Sequence, residues 1–284
     1  MRYEYLAVDK RIFHSKWIPV ATACLLLATL FGIPGVVMQF HPDYIAYWQT
    51  RLAGIQDGDA RLTWRIIHTG FSVLALVCPA VFAAGFVQIL WGRAGRGFSV
   101  LTWTGQIMGY CLVGVAILIQ ISVVFHVIRY VVQWITEDTG IYMIYAMVVT
   151  EGVLLVAVWF AIRLLRRFLA SICDTADSMA VTLCCGKLDT VPTPAYTSTG
   201  FLILGIVCLV FGSDRLFNLI VVPDLKQAYY AIAWSDNSVL QMEGISYLFS
   251  AAANFVISGY VRRYKHTAER IVADHRLRML RKET

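Results

Sequence analysis

The sequence predicts an all-α, polytopic transmembrane helix bundle of about six spans, with both termini in the cytoplasm. Three observations predict it. The 284 residues are 58% hydrophobic and only 15% charged, with a mean hydropathy of +0.65, whereas soluble domains carry roughly 45–50% apolar and about 25% charged residues. The apolar residues gather in six long runs. The Lys and Arg residues gather in alternate connections between those runs.

The runs cover residues 17–40, 66–91, 101–130, 141–165, 199–222 and 242–260. A spanning helix needs about 20 mostly apolar residues. The first run follows a basic stretch, as a signal peptide does, but it outruns the roughly 7–15 residues of a signal h-region. It is read as a retained helix. Outside the runs or at their ends, the N-terminal stretch carries Arg2, Lys10, Arg11 and Lys16, and the second connection Arg93 and Arg96. The fourth connection carries Arg163, Arg166, Arg167 and Lys187, and the tail eight more between Arg262 and Lys282. These regions hold 18 basic residues, against five (Arg51, Arg61, Arg65, Arg129 and Lys226) in the connections between them. The positive-inside rule then places the termini in the cytoplasm.

The poorer connections carry Asp43, Asp57, Asp59, Glu137, Asp138, Asp224 and Asp236, with Tyr and Trp residues such as Tyr44, Trp48, Tyr145 and Trp234 nearby. These aromatics read either as an interfacial belt or as a ligand-gripping surface. The net charge of +6 follows from the cytoplasmic bias, and no nucleic-acid partner is expected. None of the seven cysteines falls in an external connection, so no disulfide framework is expected.

Two cytoplasmic features are predicted. Over residues 164–186, Leu165, Phe168, Leu169, Ile172, Ala176, Met179, Ala180 and Leu183 recur at helical spacing. This is an amphipathic extension of the fourth helix, lying on the membrane or under the bundle, and ended by Gly186 with Pro192 and Pro194 beyond. Residues 261–284 form a basic tail that continues the sixth helix and meets anionic lipid headgroups.

Charged and polar groups inside spans usually face the bundle interior and find partners. Here they are Glu151, Asp214, Arg215 and Asn218, with Gln120, His126, Arg129, His68 and Glu243. Under the predicted orientation nearly all fall in the outer half, which suggests a polar cavity. Arg129 and Arg215 would pair with Glu151, Asp214 or Glu243. The same groups also serve as interhelical glue. Ser246, Ser250, Asn254 and Ser258, and Gly105 with Gly109, have the spacing of packing faces. His68 and His126 lie on adjacent spans at similar depth, the arrangement a bis-histidine haem b requires; no other cofactor and no metal site is expected. The chain carries no hydrolase elbow, phosphate-binding Gly-rich loop or zincin pair.

Gly85, Gln88, Ile89, Leu90, Arg96-Gly97-Phe98-Ser99, Gly105 and Gly109 resemble a pattern in small uncharacterised bacterial inner-membrane proteins. In these a helix enters a short Gly-x-Phe-Ser/Thr turn before the next span. The resemblance is confined to this stretch, and that family is typically four-helical. It implies the bacterial inner membrane and supplies no functional residue. Three roles are therefore expected to compete. They are a non-enzymatic sensor, accessory or assembly protein with a membrane-protein partner or a homo-oligomeric state; a small transporter or channel; and a haem-bearing redox protein.

Overall fold

A computed structural model describes residues 5–40, 58–137, 141–189, 196–217 and 238–283. Six helices account for most of them: α1 (Trp17–Gln39), α2 (Gly58–Leu90), α3 (Ala94–Glu137), α4 (Ile141–Cys185), α5 (Tyr196–Phe217) and α6 (Ser238–Glu283). Two short strands, β1 (Tyr5–Ala7) and β2 (Lys187–Asp189), pair antiparallel, and a 3-10 turn spans Lys10–Phe13. Among the described residues, four helical segments are long and apolar enough to cross a membrane: Trp17–Val37, Ala94–Arg129, Tyr196–Phe217 and Gln241–Arg281. The all-α, membrane-spanning character predicted from composition is therefore present in the fold.

The helices run up and down. Contacts at one end establish this: the Val8 amide bonds the Gly186 carbonyl at 2.8 Å, and Gly95 faces the Cys184 sulfur. There too, Thr175 meets Thr197, Ser258 bonds the Ser198 carbonyl, and Phe13 packs on Tyr264. The N-terminal segment, the α2–α3 turn, the α4–β2 turn and the C-terminal half of α6 thus converge. They are the four regions rich in Lys and Arg, and this is called the basic end below.

The turns at the basic end follow from two glycines with positive φ. Gly92 (φ 77°) ends α2. Its amide bonds Ile89 O and the Arg93 amide reaches back to Gln88 O, the two bonds of a Schellman cap. Gly186 (φ 64°) ends α4 with its amide on Thr182 O, the single-bond version of the same stop.

Three helices are longer than 40 residues. At 1.5 Å per residue, the 46 residues of α6 extend about 69 Å, against the ~30 Å of a bilayer core. The 45 residues of α4 and 44 of α3 are nearly as long. The amphipathic stretch lies in line with α4 and beneath the bundle. Its stripe of Leu169, Ile172, Ala176 and Met179 is buried in one core with Phe13, Phe201, Tyr260 and Tyr264. Val261, Tyr264 and Ala268 are also buried there, so the first part of the basic tail belongs to the packed core.

Candidate functional site

The described structure holds two polar clusters. The first lies where α1, α5 and α6 meet. Gly212 and Gly244 bring α5 and α6 close: a Cβ on either would approach the other's carbonyl oxygen to 3.0–3.2 Å. One turn away, Arg215 Nε lies 3.8 Å from Glu243 Oε2, with their side chains 21% and 19% exposed. Gly35 of α1 faces the Glu243 side chain, which a Cβ added there would meet at 3.7 Å. Tyr247, one turn on from Glu243, packs on Phe211 with centroids 6.1 Å apart. Below it, Ser246 donates to the Ala28 carbonyl of α1 at 2.7 Å. An ion pair thus bridges α5 and α6 beside α1.

The pair is intermediate between an exposed one, worth about 1 kcal/mol or less, and a buried one, whose breakage costs about 3–5 kcal/mol. Arg215→Glu and Glu243→Arg are each expected to lower the unfolding midpoint in detergent, and the double exchange to recover at least half of the combined loss. Full additivity of the two losses would mean that the charges do not act on each other.

The other predicted polar groups have varied placements. Asp214 is half-buried on α5, next to Arg215. Gln120 and Arg129 are exposed on α3. The backbones of His68, His126 and Glu151 lie in α2, α3 and α4, but their side chains, like the whole of Asn218, are outside the described residues. Of the nine, the structure brings Arg215 and Glu243 together. The serine stripe of α6 divides between neighbours, Ser246 bonding α1 and Ser258 bonding α5. Gly105 packs against Cys173, while Gly109 faces open space.

The second cluster, at the basic end, had no sequence signal. Thr175 Oγ1 and Thr197 Oγ1 lie 2.8 Å apart, and Thr197 donates to Ser171 O at 2.9 Å. The Tyr264 hydroxyl sits 2.8 Å from Thr182 Oγ1 and 3.0 Å from Ser178 Oγ. Its ring packs on Phe13, centroids 4.8 Å apart. Tyr260 donates to Phe13 O at 3.1 Å. Thr182, Thr197 and Tyr264 are almost wholly buried. Burial pushes the Tyr264 phenol up, partly offset by its hydrogen bonds with Ser178 and Thr182, so it remains a neutral partner in this network.

The exposed side of the same layer carries carboxylates. Thr102 of α3 donates to Asp177 at 2.9 Å, and burial together with Asp177 raises the Asp174 carboxyl. Burial, Asp177 and Asp174 also push the Cys173 thiol up. A thiol held protonated is a poor nucleophile, and Cys173 instead contacts the Thr102 carbonyl at 3.5 Å. The hydroxyl groups are joined to one another and to backbone carbonyls, so this network ties α4, α5, α6 and the N-terminal segment into a platform.

These features define an all-α membrane protein with a folded layer at one end. Comparison with family models, curated proteins and solved structures returns no match to this chain.

Proposed function

We propose that this chain is a six-span protein of the bacterial inner membrane. Its termini are cytoplasmic, and it works as a non-enzymatic sensor, accessory or assembly factor. The observation that carries the reading is the platform at the basic end, continuous with helices that outrun the bilayer. Burying a network of hydroxyl groups and pinning the N-terminal segment to it by β1–β2 pairing makes a rigid surface beside the membrane. The up-and-down order supports crossings by α2 and α4 as well, which makes the number of spans even and leaves all four basic segments on one side.

Two groups of basic residues have different tasks in this reading. Arg93, Arg96, Arg166, Arg167, Arg262 and Arg263 are exposed near the proposed inner boundary, where each contributes about 1 kcal/mol towards anionic headgroups. Arg276, Arg278 and Arg281 lie 16–21 residues past Tyr260 on one unbroken helix, or about 24–32 Å along its axis. A helix leaving near the membrane normal carries them beyond the Debye length of about 8–10 Å. They are offered to an acidic protein surface.

A truncation separates the two tasks. Deleting residues 262–284 would remove buried Tyr264 and Ala268 and damage the core, whereas deleting 273–284 leaves them in place. The shorter deletion is expected to keep the protein folded and membrane-inserted while abolishing co-purification of the partner in mild detergent. Retention of the same partner by the truncated chain, or no partner with the full chain, contradicts the reading.

A second reading, a small transporter, is favoured by one observation: a half-buried Arg215–Glu243 pair beside Asp214 within the bundle. Glu151→Gln would then abolish proton-coupled uptake in vesicles without changing the unfolding midpoint by more than a few degrees.

A further inference from the structure

Helix α3 packs more extensively on α4 than on α2. Its contacts with α2 lie near the basic end, at Gly97, Leu101 and Met108. Beyond these, Ile117, Leu118, Ile121, Val124, Phe125 and Ile128 are each about half exposed or more, while Val113 and Val127 are half-buried. Lipid can cover apolar side chains. It cannot satisfy Gln120, which lies exposed in a candidate membrane span and makes no hydrogen bond among the described residues. A glutamine side chain is short, and Arg129, towards the outer end, is nine residues or about 13 Å further along. The Gln120 amide therefore cannot reach water by snorkelling in that direction. An amide in hydrocarbon without a partner costs several kcal/mol.

The residues around Gln120 indicate what covers it. Val113, Ile117, Gln120, Val124, Val127 and Val131 follow one another at alternating steps of four and three, the spacing of a two-helix seam. All except Gln120 are β-branched. Ile117, Val124 and Val131 form one set of seam positions and Val113, Gln120 and Val127 the other, and a single polar residue in such a seam fixes register at a cost in stability. Copies inserted with the same topology present α3 in parallel. A primary amide both donates and accepts, so it is complementary to itself across a two-fold axis, where the same patch meets its copy.

We propose that α3 is a homodimer interface in the membrane, with a second copy of this chain packed along the Val113–Val131 seam and the two Gln120 amides bonded to each other. Leu118 and Phe125, on the far side of the exposed face, remain against lipid. This goes beyond the proposed function and does not depend on it.

The test uses the full-length protein in native membranes. Single cysteines are placed at 117, 124 and 131, which leave Gln120 in place, and at 118 and 125, with wild-type cross-linking measured alongside as the baseline for the native thiols. Oxidation is expected to give disulfide-linked dimer at 117, 124 and 131, at least fivefold above 118 and 125. Gln120→Leu should abolish dimer seen by single-molecule photobleaching in vesicles, and Gln120→Asn should retain it, while both keep the unfolding midpoint of the monomer. Equal cross-linking at all five positions, a monomer in every case, or cross-links only to a different protein would overturn the proposal.

Discussion

Replacing Tyr264 by alanine is expected to destabilise the protein by about 3–5 kcal/mol, the range for removing a buried aromatic ring. The side chain is 2% exposed, so its removal leaves a cavity against Phe13. It also orphans part of the hydroxyl network: Ser178 and Thr182 lose the phenol that joins them. Tyr264→Phe keeps the ring and its contact with Phe13. Thr182 still donates to Ser178 O at 2.9 Å, so the phenylalanine variant should lose only about 1–2 kcal/mol. Unfolding midpoints in one detergent, ordered wild type, phenylalanine, alanine, check this. Equal losses for the two variants would place the effect in the hydroxyl group alone. No loss in either would mean that the platform contributes nothing to the folded state.

The second large effect is expected at Gly97. A Cβ there would lie 2.5 Å from the Gly85 carbonyl oxygen and from Ile89 Cγ1, and 3.0 Å from the Ile89 nitrogen. Two of these atoms are backbone and cannot rotate away. The connection between α2 and α3 is also too short for the helices to part: the Gly92 cap leaves only three residues, 91–93, between them. Gly97→Ala should therefore cost at least about 1–3 kcal/mol as overpacking and lower the yield of folded protein in membranes. Gly109→Ala on the same helix is the matched comparison. Nothing lies within 4 Å of the added methyl, and alanine is the better helix former, so the midpoint should hold or rise. Equal behaviour of the two variants would show that α2 and α3 do not pack at this crossing.

Hydropathy made the helices legible and their ends illegible. The run at 17–40 and α1 at Trp17–Gln39 nearly coincide, because this helix ends where its apolar residues end. The run at 242–260 is less than half of α6, since a helix satisfies its own backbone bonds and continues through residues such as Lys265, Glu269 and Arg270 until something stops it. In this stretch Lys265 and Glu269 support one another at 3.7 Å across one turn. The extension of α4 was legible from its apolar stripe and from Gly186. Its position beneath the bundle depended on Tyr264 and Phe13, far away in sequence.

The candidate site was legible as a set of polar residues but not as partners. Arg215 had three acidic candidates. The choice of Glu243 was made by the close approach of Gly212 and Gly244, a helix crossing that composition does not encode. The platform network was illegible altogether. Ser, Thr and Tyr are common residues, and the bonds that matter, such as Tyr264 to Thr182 and Tyr260 to Phe13, join positions 82 and 247 residues apart. The β1–β2 pairing was missed for a similar reason: three residues are too few to show alternation.

The central claim is that the four basic segments lie together on the cytoplasmic face of a six-span protein. It is tested most directly by single cysteines at Arg11, Arg93, Lys187 and Arg270, all exposed. A membrane-impermeant thiol reagent is applied to intact cells and to inside-out vesicles. The account predicts no labelling above the wild-type baseline in cells and full labelling at all four positions in inverted vesicles. Labelling of any one of them from outside intact cells, with the others protected, would contradict it.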